Sequence, residues 1–140
     1  GTNKNIDDAL YWFTLASKEN YYDALYGRGL VYIQKDEYKK ALDNFKLASD
    51  EGYLPATYWL GKMYRDGFGA EKNFEKAFEL FKFCSKFGNL RCQKDYGLML
   101  IKFRLNPFLK LYGIYLCIKF FLELIYTMIN DPNSQRLRPN

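Results

Sequence analysis

The sequence predicts an all-α protein, an α-solenoid of about three antiparallel helix pairs followed by a long apolar capping helix at the C-terminus. Two observations lead there. Small residues recur at matched offsets in three successive segments, and apolar residues within each segment recur with helical spacing. Composition agrees: hydrophobic residues make up 49% and charged residues 26% of the 140 residues, enough to bury a core, while β-branched residues are few.

The repeat is anchored by Asp8-Ala9, Lys40-Ala41 and Lys76-Ala77. Seven residues after each alanine stands Ala16, Ala48 or Cys84, and eleven after it Asn20, Gly52 or Gly88. Fifteen after it comes Ala24, Ala56 or Cys92, twenty after it Gly29, Gly61 or Gly97, and twenty-three after it Tyr32, Tyr64 or Leu100. Within a unit, Ala41, Leu42, Phe45 and Ala48 form one stripe, as do Ala77, Phe78, Phe81 and Cys84, which is the period of an amphipathic helix. Gly52 and Gly88 follow these stripes where a left-handed cap is needed. The small residues Ala41, Ala48, Ala56, Gly61 and Ala77 are expected at helix–helix contacts, where larger side chains would force the axes apart. The spacing predicts helices near 6–18, 22–33, 39–50, 54–65, 74–86 and 90–102, then a seventh from about 108 to 130.

The stretch Ala56-Thr57-Tyr58-Trp59-Leu60-Gly61-Lys62-Met63-Tyr64-Arg65-Asp66-Gly67-Phe68-Gly69, with Asn73-Phe74-Glu75-Lys76-Ala77 and then Gly88, resembles a Sel1-like repeat. Its signature reads A-x3-L-G-x2-Y-x2-G-x-G with a later K-A. That family is related to the tetratricopeptide repeats, and the resemblance, which extends over about residues 6–104, implies stacked helix pairs that bind other proteins. The first unit is shorter, because Ile33-Gln34-Lys35-Asp36-Glu37-Tyr38 lacks the glycine loop, and stands nearer the tetratricopeptide type. The expected organisation is a repeat array over 1–104, a capping helix over 105–130 and a polar tail over 131–140.

Phe108 to Ile129 is the most apolar stretch, beginning after Pro107 and stopping before Asn130-Asp131-Pro132. It is long enough to span a bilayer, but Lys119 and Glu123 lie near its middle, where charge costs roughly 2.5–3.5 kcal/mol per residue. A cap packed on the last repeat is favoured over membrane contact. The two charges, spaced i, i+4, are expected to pair on one face.

Chemistry is absent from the sequence. There is no histidine, hence no Ser-His-Asp or Cys-His nucleophile pair and no histidine-ligated zinc. Phosphate-binding and calcium-binding loops are missing, and no metal or cofactor is implied. The three cysteines, Cys84, Cys92 and Cys117, have no CxxC spacing, so neither a disulfide framework nor a zinc site is expected, and Cys84 and Cys92 read as small core residues. An enzyme is not expected. Net charge is +5, with nine Lys/Arg against ten Asp/Glu in residues 1–70 and twelve against six in 71–140. No basic run exceeds two residues, so a protein with an acidic face is a better partner for the basic half than nucleic acid.

What remains is a protein-binding module. In the first helix of each pair, the positions off the buried stripe include Tyr11, Trp12, Asp43, Asn44, Glu79 and Phe83, which are expected to line one concave, partner-binding surface. Such a module suits the immunity partner, or inhibitor, of a bacterial toxin of mixed surface charge. A general adaptor or scaffold is the alternative, and a membrane-associated accessory protein held by the 108–129 helix is a third reading. The start Gly1-Thr2-Asn3-Lys4 carries no apolar leader, and a cytoplasmic location is expected.

Overall fold

A computed structural model of the chain describes residue 8 and residues 21–102 and 107–130, all of the regular structure among them helical. Six helices follow in order: α1 Tyr21–Gln34, α2 Tyr38–Asp50, α3 Leu54–Asp66, α4 Phe74–Lys86, α5 Leu90–Lys102 and α6 Pro107–Asn130. Each lies within two residues of its sequence expectation. The helix expected at 6–18 falls outside the described residues apart from Asp8, which is helical. The chain forms two compact units, Gly1–Cys84 and Ser85–Asn140. The second unit holds α5 and α6.

Local signals explain the helix ends. Asn73 Oδ1 accepts the Lys76 amide at 2.9 Å, and Asn89 Oδ1 accepts the Cys92 amide at 3.1 Å, so both helices start on an asparagine cap. Gly52 and Gly88 adopt φ of 84° and 82°, the left-handed conformation expected of them after α2 and α4. The first connection has no such glycine, and Asp36 takes the positive φ instead, its carboxylate accepting a hydrogen bond from the Tyr38 hydroxyl.

In the first unit, α1 packs on α2 and α2 on α3, with Ala41, Ala48 and Ala56 fully buried. Ala77 and Gly61 are buried as well, so all five small residues occupy the contacts predicted for them. The glycine column has a specific counterpart. A Cβ on Gly29 would lie 2.5 Å from the Phe45 ring, and one on Gly61 would lie 2.7 Å from the Phe81 ring. Each phenylalanine stands four residues after an anchoring alanine, so these two units each seat a ring on the bare glycine backbone of the helix pair before them. Both rings are wholly buried and have nowhere to retreat.

The tyrosine and lysine columns meet too. Lys40 Nζ lies 5.5 Å from the Tyr32 ring centre, and Lys76 Nζ lies 5.1 Å from that of Tyr64. These equivalent cation–π contacts couple the end of one second helix to the start of the next first helix.

In the second unit the third glycine of the column, Gly97, meets backbone instead of a ring. A Cβ there would come within 2.6 Å of the Gly113 carbonyl, and a Cβ on Gly113 within 2.6 Å of the Gly97 carbonyl. This close crossing seats α6 on α5. Within α6 only Gly113 and Leu116 are buried. The long helix is therefore present, but it does not bury its apolar residues as a cap would, and the expected capping role gains no support. Among the described residues no helix is long and apolar enough to cross a membrane.

The cysteines also depart from expectation. Cys84 and Cys92 are fully buried, as predicted, yet each is disulfide-bonded rather than a simple core thiol. Cys117 is free, and burial pushes its thiol pKa up, away from nucleophilic character.

Gly61→Ala is expected to destabilise the protein by about 1–3 kcal/mol through collision with Phe81. Denaturant unfolding measures it. Gly61→Ala and Phe81→Leu together should cost less than the sum of the two alone, because removing the ring relieves the clash.

Candidate protein-binding surface

The outward side of α2 and α4 is built from two turns of equivalent chemistry. Asp43 and Glu79 occupy the same repeat position, and one turn later Leu47 and Phe83 occupy another. All four are exposed, Leu47 at 52% and Phe83 at 45%. Each helix thus presents a carboxylate and a large apolar side chain four residues apart on one face. Asp43 pairs with Lys39 at 3.9 Å and Glu79 with Lys82 at 3.3 Å. Exposed pairs of this kind contribute little stability, so the carboxylates can exchange their lysines for a partner's cations at small cost.

Of the six residues singled out in the sequence, Asp43 is exposed on α2, and Glu79 and Phe83 are exposed on α4. Tyr11 and Trp12 lie outside the described residues. Asn44 does not face solvent: it is 8% exposed, and its amide donates to the Lys40 carbonyl one turn back at 2.8 Å. Its position lies next to the apolar stripe, and a side chain that can satisfy itself on its own helix is tolerated there.

A second polar–aromatic patch, missed in the sequence, joins the start of α1 to the turn after α2. The Tyr22 hydroxyl donates to Glu51 Oε2 at 3.3 Å, and the Tyr53 hydroxyl donates to Asp23. Tyr53 also packs against Tyr26, ring centres 5.6 Å apart. The hydrogen bond to Asp23, reinforced by burial, pushes the Tyr53 pKa up to about 12. The charge of Glu51 raises that of Tyr22. These partners are 29 and 30 residues apart, a tertiary relation that no local spacing encodes.

On α3, Trp59 stacks on Phe45 with centres 5.8 Å apart and carries Lys62 over its ring at 4.3 Å. Arg65 donates two bonds of 2.8 Å to Asp66 and holds that carboxyl below the usual range. Among the described residues no group of His, Cys, Asp and Glu stands together in a way that could hold a metal ion.

A folded-state pKa above the ordinary value of 10.0 means that the protonated Tyr53 phenol stabilises the fold. That contribution is complete below about pH 10 and is lost as pH rises towards 12. The melting-temperature gap between wild type and Tyr53→Phe should therefore hold steady up to about pH 10 and narrow above it. Thermal melts across pH, read beside tyrosinate absorbance, check it.

The family model of the Sel1 repeat matches residues 1–21, 24–53 and 54–83. Its phase pairs α1 with α2 and α3 with α4, and the match ends before α5, short of the residue 104 at which the resemblance was drawn. No curated protein and no solved structure matches the chain. With matched segments over more than half of its length, and with the glycine–phenylalanine and tyrosine–lysine contacts repeating in register, the chain belongs to the Sel1 repeat family.

Proposed function

We propose that the chain binds a partner protein through the exposed side of α2 and α4 and acts there as an inhibitor, the immunity partner of a bacterial toxin. Sel1 repeats are protein–protein interaction modules, which supports the coarser part of this reading. The observation that carries the choice of surface is the repeated pair, Asp43 with Leu47 and Glu79 with Phe83. A stability requirement would bury Leu47 and Phe83, whereas two consecutive repeats leave the same chemistry in water. Carboxylates flanked by apolar anchors suit a partner that offers lysine or arginine around a small apolar patch. A toxin surface that handles an anionic substrate has that character, and covering it would silence the toxin. The adaptor reading shares the surface and differs only in leaving the partner active.

Leu47→Ala with Phe83→Ala is expected to weaken the partner complex at least about tenfold, with little change in melting temperature. Titration calorimetry against the purified partner measures it. Co-expression should rescue growth of cells producing the toxin, and Phe83→Glu should abolish the rescue. A partner that binds and keeps its full activity would replace the inhibitor reading with the adaptor one.

A further inference from the structure

We draw no further inference here: the strongest candidate, the apolar surface of α6, whose residues 121–130 are exposed on every side of the helix, carries nothing because nothing in the structure shows what covers it.

Discussion

The repeat rests on one steric constraint, a phenylalanine ring laid on a glycine backbone in the preceding unit. Phe45 on Gly29 and Phe81 on Gly61 leave no room for even a methyl group. The constraint sets how closely adjacent units pack, and the other columns become meaningful because of it. Alanine at the anchor positions lets the helices of a pair approach as closely as the ring requires. Tyrosine and lysine then meet at the joint between units, as Tyr32 with Lys40 and Tyr64 with Lys76 do. The recurring K-A pair thus combines a cation for the joint with a small residue for the core.

This accounts for what was legible in the sequence. Helices and their ends were readable because apolar periodicity, proline starts and glycine stops are local signals. Burial of the alanines was readable because their spacing tracks one face. The exposed side of the repeat helices was only partly readable, since a position near the edge of the stripe is decided by what its side chain can reach. Asn44 reaches the Lys40 carbonyl and turns inward, while its neighbour Asp43 remains in water. The contacts of Tyr22 with Glu51 and of Tyr53 with Asp23 link distant segments, and no spacing announces them. The disulfide state of Cys84 and Cys92 was likewise hidden, because both positions read as small residues of the repeat.

The glycine column also explains where the repeat stops. Gly97 is offered to a following unit in the same way as Gly29 and Gly61, but no ring arrives. Gly113 arrives instead, and backbone meets backbone within a distance that no side chain would permit. A ring would have drawn the next amphipathic helix into register and buried its stripe. The glycine pair makes a narrower contact that uses little of the apolar surface of α6, which is why its remaining side chains stay in water while the first helices of the repeats do not.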